Sequence, residues 1–178
     1  MSRIFGEIKQ IAYTTRDFDA LLAFFVETGI GPWFVARKRI MANVTYRGRA
    51  TDIEITLGMA NSGPLQLEVI EPTSNAKSIY RDWLDKYPGK LMVQHIASWP
   101  TDFHATDRRI LAAGYESVMS AALPSGAFAY YEHPDHPEFV FETAELTDER
   151  RYVWDAIARA AQDWDGQDPV RKFPSLPR

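Results

Sequence analysis

An internal repeat is the feature that most constrains how this chain can fold. The stretch Gln10–Ala20, QIAYTTRDFDA, returns as His95–Ala105, HIASWPTDFHA, and the two are identical at five of eleven positions, 85 residues apart. In each copy an alternating apolar run leads to an aspartate, Asp17 or Asp102, that can cap a helix. The chain is therefore predicted to contain one module twice.

The module that the sequence predicts has the element order β-α-β-β-β in both copies. A loose stretch is expected around residues 43–50 of the first copy. The first copy is predicted to have a strand at 6–15, a helix from Asp17 to Gly29, and strands at 33–39, 52–60 and 65–71. The second is predicted to have a strand at 91–99, a helix at 102–113, and strands at 115–122, 127–132 and 138–145.

This pattern predicts an α+β fold made of two βαβββ modules and a C-terminal helix. The helix covers the open sheet of its own chain or makes a dimer contact. The tail after it is expected to be held only by Phe173 and Leu176. The predicted divisions are a first module at 1–72, a linker and connecting helix at 73–89, a second module at 90–146, a helix at 147–164 and a tail at 165–178.

Composition narrows the classes of function. A chain of 178 residues that is 46% hydrophobic and has no cysteine is globular, without disulfides or thiolate metal sites. Its net charge of −4 argues against a nucleic-acid partner. No apolar run is long enough to span a membrane, so no membrane partner and a cytoplasmic protein are expected. A basic cluster is either a solvated face or a site for an anionic small molecule. Its members are Arg37, Lys38, Arg39, Arg47 and Arg49.

Two pairs of polar residues occupy equivalent places in the two modules. Gln10 corresponds to His95 on the leading strands, and Glu68 corresponds to Glu142 on the closing strands, inside apolar runs. If both concave faces form one cavity, an amide oxygen, an imidazole and two carboxylates converge there, a set that suits Mn²⁺, Mg²⁺, Co²⁺, Ni²⁺ or Fe²⁺. The competing interpretation is that the glutamates pair with arginines or with solvent at the rim of a sheet.

These segments resemble the glyoxalase I / bleomycin-resistance / extradiol-dioxygenase superfamily, also called vicinal oxygen chelate proteins, over roughly residues 5–145. The motifs are Gln10-Ile-Ala-Tyr, Glu68-Val-Ile-Glu-Pro, His95-Ile-Ala and Phe-Val-Phe-Glu142. Methylmalonyl-CoA epimerase-type members look most similar. The resemblance implies a cupped sheet around a divalent metal held by the first and fourth strands of each module. Gln10 departs from the usual histidine, and an amide oxygen binds transition metals more weakly than imidazole.

The resemblance implies an isomerase, epimerase or lyase that forms an enolate of a small carbonyl substrate. Glu142 is the first candidate for the base and Glu68 the second. The alternative is a metal-independent small-molecule-binding protein of the bleomycin-resistance kind, where Gln10 is natural. An extradiol dioxygenase fits poorly, because it needs two histidine ligands and only His95 stands at a ligand position. A scaffold role for the C-terminal helix is a third hypothesis, and a homodimer that binds a small, anionic substrate is expected.

Overall fold

The computed structural model of the chain describes residues 1–176. Within this range the chain forms nine strands and four helices. In chain order they are β1 Ile8–Thr14, α1 Phe18–Glu27, β2 Trp33–Tyr46, β3 Arg49–Ser62, β4 Leu65–Pro72, α2 Ile79–Lys86, β5 Val93–Ser98, α3 Phe103–Ala112, β6 Glu116–Leu123, β7 Gly126–His133, β8 His136–Ala144, α4 Asp148–Ala161 and β9 Val170–Lys172.

Helices α1 and α3 begin where the repeated aspartates predict. The Asp17 carboxylate accepts a hydrogen bond from the backbone N–H of Ala20, and Asp102 accepts the equivalent bond from Ala105. Each bond satisfies a donor that the first turn of a helix leaves unpaired. The two modules therefore share their local geometry as well as their sequence pattern.

The strands form one sheet that closes on itself. Their order is β3-β4-β1-β5-β8-β7-β6-β2-β9, and β2 also pairs with β3. The leading strands β1 and β5 pair antiparallel where the modules meet, and each closing strand, β4 or β8, runs parallel to the leading strand of its own module. The predicted α+β fold of two βαβββ modules is confirmed, and β4, β1, β5 and β8 lie side by side.

The two faces of this cupped sheet have different partners. Leu67 and Val69 of β4 pack on the outside against α1, whereas Glu68 and Ile70 point into the cup, as strand alternation predicts. The C-terminal helix α4 covers the cup of its own chain and buries Trp154 and Ile157. No helix of residues 1–176 is long and apolar enough to cross a membrane.

The expected loose stretch at 43–50 was wrong. Strands β2 and β3 run through it as a long hairpin, joined by a tight turn at Arg47 and Gly48, where φ is 46° and 75°. Register shifts interrupt β2, one of them beside Asn43, whose φ is 57°. A bulge adds a residue to one strand and breaks the two-residue alternation by which strands are recognised in sequence.

The tail is more ordered than the sequence indicates. Val170–Lys172 pairs parallel with Trp33–Val35 as the edge strand β9, and the N–H of Trp33 donates to the carbonyl oxygen of Pro169 at 2.8 Å. The predicted anchors Phe173 and Leu176 both line the cavity inside the cup. Three residues of edge pairing carry too little apolar alternation to be recognised as a strand.

Candidate functional site

The concave face of the sheet encloses a cavity of about 270 Å³. Its walls come from both modules and from α2, α4 and the tail. One end is polar and contains Gln10, Glu68, Tyr80, Tyr130 and Glu142. The rest is mainly apolar and includes Met41, Ile55, Leu57, Met59, Ile70, Leu123, Phe128, Val153, Trp154 and Phe173.

Three of the four predicted ligands meet at the polar end. The ligand atoms of Glu68, His95 and Glu142 all lie within 4.8 Å of one another, and all three residues are buried. His95 Nε2 is 3.0 Å from Glu142 Oε2 and 3.6 Å from Glu68 Oε2. The sheet order brings them together, because β5 carries the histidine while β4 and β8 carry the carboxylates.

Gln94, which the sequence analysis missed, orients the imidazole. Its Oε1 is 2.7 Å from His95 Nδ1. Because a carbonyl oxygen can only accept, Nδ1 carries the proton and Nε2 presents its lone pair to the carboxylates. Strict alternation places Gln94 and His95 on opposite faces, but β5 has an extra residue between the partners of Ala12 and Tyr13. The register shift makes this contact between neighbours possible.

The geometry of Nε2 fits a bound cation. Although Glu142 Oε2 lies 3.0 Å away, the contact does not have hydrogen-bond geometry, and buried Nε2 has no hydrogen-bond partner among residues 1–176. A lone pair that faces two carboxylates is unfavourable unless a proton or a cation lies between them. Two ligands at right angles around an ion at about 2.1 Å are about 3.0 Å apart. The spacing and the oxygen-rich donor set suit a hard or borderline divalent ion.

Gln10 lines the same cavity, and one of its groups is already engaged. Its Nε2 donates to Gln66 Oε1 at 2.8 Å, across the β1–β4 pair. The bond turns the amide nitrogen towards Gln66 and leaves the carbonyl oxygen as the group that can coordinate an ion. His95, by contrast, does not line the cavity and packs edge-on against the Tyr130 ring, with 4.9 Å between ring centroids.

Burial raises the pKa values of three side chains at the polar end of the cavity, Glu68, Tyr80 and Tyr130. It raises the pKa of the Glu68 carboxyl well above its ordinary value, the neighbouring Glu142 raises that pKa further, and Arg39 opposes the rise. Burial also raises the phenol pKa values of Tyr80 and Tyr130, whose hydroxyl oxygens are 2.8 Å apart. Both phenols are therefore neutral; one donates its proton to the other, and the second keeps a hydroxyl proton that it can donate to a ligand. Tyr80 lies on the connecting helix α2 and was not among the predicted site residues.

Two of three comparisons with known proteins identify proteins to which the chain is similar. The family model described as Glyoxalase/Bleomycin resistance protein/Dioxygenase superfamily matches residues 9–131. The search of curated proteins found no match.

Solved structures of low sequence identity share the fold. Methylmalonyl-CoA epimerase from Mycobacterium tuberculosis is 14% identical, with a TM-score of 0.60 over 85% of this chain and 95% of that one. A variant of the Streptomyces coelicolor methylmalonyl-CoA epimerase in complex with 2-nitronate-propionyl-CoA is 21% identical, with a TM-score of 0.55 over 81% and 96%. A hypothetical protein from Bacillus halodurans is 15% identical, with a TM-score of 0.54 over 80% and 95%.

Proposed function

Because the chain belongs to the Glyoxalase/Bleomycin resistance protein/Dioxygenase superfamily, we propose that it is a metal-dependent enzyme that moves a proton beside the carbonyl group of a small substrate. The observation that carries this proposal is the buried cluster of Glu68, His95 and Glu142 beside the polar end of the cavity, in which His95 Nε2 has no hydrogen-bond partner among residues 1–176. Isomerase, epimerase and lyase chemistry share this proton transfer.

The proposed ligands are Gln10, Glu68, His95 and Glu142. A divalent ion held there would supply positive charge that stabilises the enolate oxygen of the substrate. The site would bind one ion of the Mn²⁺, Co²⁺, Ni²⁺, Mg²⁺ or Fe²⁺ group, since it offers one nitrogen and otherwise oxygen donors.

The two carboxylates have different proposed roles. Glu142 takes the proton from the carbon beside the carbonyl: the C–H bond breaks, its electron pair moves to the carbonyl oxygen as an enolate, and Glu142 becomes the acid. Glu68, on the other closing strand, returns a proton to carbon. Of the neutral pair Tyr80 and Tyr130, the phenol that accepts the hydrogen bond between them can donate its own proton to the developing oxyanion.

The first test is metal binding. Metal-stripped protein is titrated with Co²⁺ and Mn²⁺, followed by visible absorption and electron paramagnetic resonance. We expect one site per chain, and binding at least about tenfold weaker in Glu142→Gln and in His95→Ala. The matched control is Glu149→Gln, a change to a carboxylate that lines the same cavity from α4 but lies outside the cluster. Equal losses in all three variants would contradict the assignment of the ligands.

The second test is proton exchange. Small ketones, aldehydes and thioesters are incubated with the protein in deuterated water, with and without Mn²⁺, and loss of the proton beside the carbonyl is followed by NMR. We expect metal-dependent exchange that Glu142→Gln lowers by a factor on the order of 10² or more, the usual contribution of a general base. Exchange that persists at the same rate in this variant would exclude Glu142 as the base.

The second candidate function is binding of a small molecule without metal. The observation that favours it is Gln10, an amide where the second module has histidine, with its nitrogen committed to Gln66. This alternative predicts that Gln10→His creates metal affinity the natural protein lacks, and that Glu142→Gln leaves ligand affinity unchanged. The enzyme proposal predicts affinity for metal before the substitution and a gain of about tenfold or more after it.

The proposal also includes the kind of substrate, the oligomeric state and the location of the protein. We infer a small-molecule substrate that carries an anionic group, a homodimer and a cytoplasmic location. The first is supported by a basic side chain of the cavity wall, Arg39.

A further inference from the structure

A bulge in β2 decides which residue of the basic cluster faces the cavity. Ala36 pairs with Leu57 and Arg39 pairs with Ile55, so two residues of β2 stand opposite one residue of β3. Lys38 sits at the bulge with φ of 50°. Without the bulge, two-residue alternation would turn Lys38 inward and Arg39 outward. With it, Arg39 lines the cavity.

Arg39 and Arg150 are the cationic side chains that line the cavity within residues 1–176, and they differ in their partners. Arg37 pairs with Asp19, and Arg47 pairs with Glu132 at 2.9 Å. Arg150, on the cavity wall, donates to three backbone carbonyl oxygens. The Arg39 guanidinium makes no hydrogen bond or ion pair with residues 1–176, although its charge acts on Glu68 and Arg150 across the cavity.

The other charged side chains of the cavity wall are less suited than Arg39 to binding an anion. Glu68, Glu142 and Glu149 repel an anion, and Arg150 already uses three of its N–H donors on backbone carbonyl oxygens. A planar guanidinium with free donors binds a carboxylate through two parallel hydrogen bonds. The neighbours of Arg39 on the cavity face of the sheet, Met41 on the same strand and Ile55 on the paired strand, are apolar.

We propose that Arg39 binds a carboxylate of the ligand, and that the ligand is an amphipathic carbonyl compound whose carboxylate is separated from its carbonyl by a short apolar chain. The assignment of the carbonyl to the end with Glu68, His95 and Glu142 rests on the proposed function. The assignment of the carboxylate to Arg39 does not, since it depends on the bulge and on a guanidinium that has no partner among residues 1–176.

The test uses a matched pair of probes, 4-oxo-4-phenylbutanoate and its methyl ester. They have the same ketone and aromatic body and differ in one negative charge. Binding to the metal-free full-length protein is measured by calorimetry and by fluorescence of Trp154, which lines the cavity. We expect the acid to bind on the order of tenfold more tightly than the ester, the usual effect of a hydrogen-bonded charge.

The variants are Arg39→Gln and the control Arg37→Gln, two residues away on the same strand. We expect Arg39→Gln to abolish the preference for the acid and to leave the affinity of the ester unchanged, whereas Arg37→Gln keeps the preference. Circular dichroism and the thermal midpoint confirm folding, which an exposed side chain should not alter. Arg39→Lys should restore part of the preference, because the charge returns without the planar fork.

Three outcomes would overturn the proposal. They are equal affinities of acid and ester for the natural protein, the same loss of preference in both variants, and no binding of the acid up to about 10 mM. Because the assay is free of metal and follows binding alone, the proposed function can fail in the exchange experiment while this inference holds, and the reverse is also possible.

Discussion

At the scale of single residues, the two ring nitrogens of His95 have different environments and different roles. Nδ1 is bonded to Gln94 Oε1 at 2.7 Å, and Nε2 faces two carboxylates without a hydrogen bond among residues 1–176. An imidazole whose other nitrogen donates to a fixed acceptor is held in one tautomer and one orientation. Gln94 therefore acts as a positioning residue for His95, the proposed ligand beside it.

Replacement of Gln94 tests this arrangement. We expect Gln94→Leu to weaken Co²⁺ binding on the order of 10- to 100-fold, because the tautomer with a free Nε2 loses its support. Gln94→Glu should retain tight binding, since a carboxylate accepts the same hydrogen bond. Calorimetric titration measures the affinity, and ¹⁵N shifts of the imidazole in metal-free protein report the tautomer. An unchanged tautomer and affinity in the leucine variant would contradict the assigned role.

Tyr46 gives a pH dependence with a defined sign. Burial, and then the hydrogen bond that its hydroxyl donates to Asp82 at 2.6 Å, raise the pKa of Tyr46 to about 12. An unfolded tyrosine ionises near pH 10. The folded state therefore holds this proton more tightly, so its stabilising contribution is complete below about pH 10 and is lost as the pH rises through about 12.

Urea unfolding at about pH 9 and about pH 11.5 measures this contribution. We expect the free energy of unfolding of the natural protein to fall more between these pH values than that of Tyr46→Phe. Tyr152→Phe, at a residue that is 40% exposed, serves as the control and should follow the natural protein. Parallel curves for the natural protein and Tyr46→Phe would show that the phenol is not protected by folding.

The sequence predicts the residues of the site well where strand alternation is regular. Glu68, His95 and Glu142 stand at repeated positions inside apolar strands, so duplication alone indicated that they converge. Gln94 and Arg39 lie beside register shifts in β5 and β2. A bulge depends on pairing between strands distant in sequence, and residue order along one strand carries no direct signal of it.

Among the elements, α4 is joined to the sheet by the hydrogen bonds of one arginine as well as by its apolar face. Arg150 donates to the carbonyl oxygens of Ala127, Glu145 and Gly126 at 2.7, 3.0 and 2.9 Å. Two of these oxygens belong to the first two residues of β7, and the third belongs to the segment between β8 and α4. The sequence predicted the helix and its apolar stripe, but Arg150 was indistinguishable from its exposed neighbour Arg151.

The two neighbouring arginines make a matched pair of substitutions. We expect Arg150→Met to lower the free energy of unfolding by about 2 kcal/mol or more, because charged hydrogen bonds to three carbonyl oxygens are lost. Arg151→Met should change it by less than about 0.5 kcal/mol, as is usual for an exposed side chain. Denaturant titration with tryptophan fluorescence measures both. Similar values for the two variants would show that α4 is held by its apolar face alone.

At the scale of the whole molecule, the segment outside the duplicated modules completes the cavity. Strand β9 pairs with the start of β2, and Phe173, Pro174 and Leu176 then form part of the wall. The repeat explains the cup and the polar end, since both arise from equivalent strands. The repeat contains no information about the elements that cover the cavity, because α4 and the tail have no counterpart in the first module.

Removal of residues 169–178 measures the contribution of the apolar wall to ligand affinity separately from that of the Arg39 charge. We expect the shortened chain to fold, because β9 contributes only three residues at a sheet edge. It should bind both 4-oxo-4-phenylbutanoate and its methyl ester about tenfold more weakly, since the apolar contacts that it loses are common to both probes. The preference for the acid should persist. A Phe173→Ala, Leu176→Ala double variant of the full chain makes the same comparison if truncation disturbs folding. Unchanged affinity in both forms would show that the tail covers the cavity without contacting its ligand.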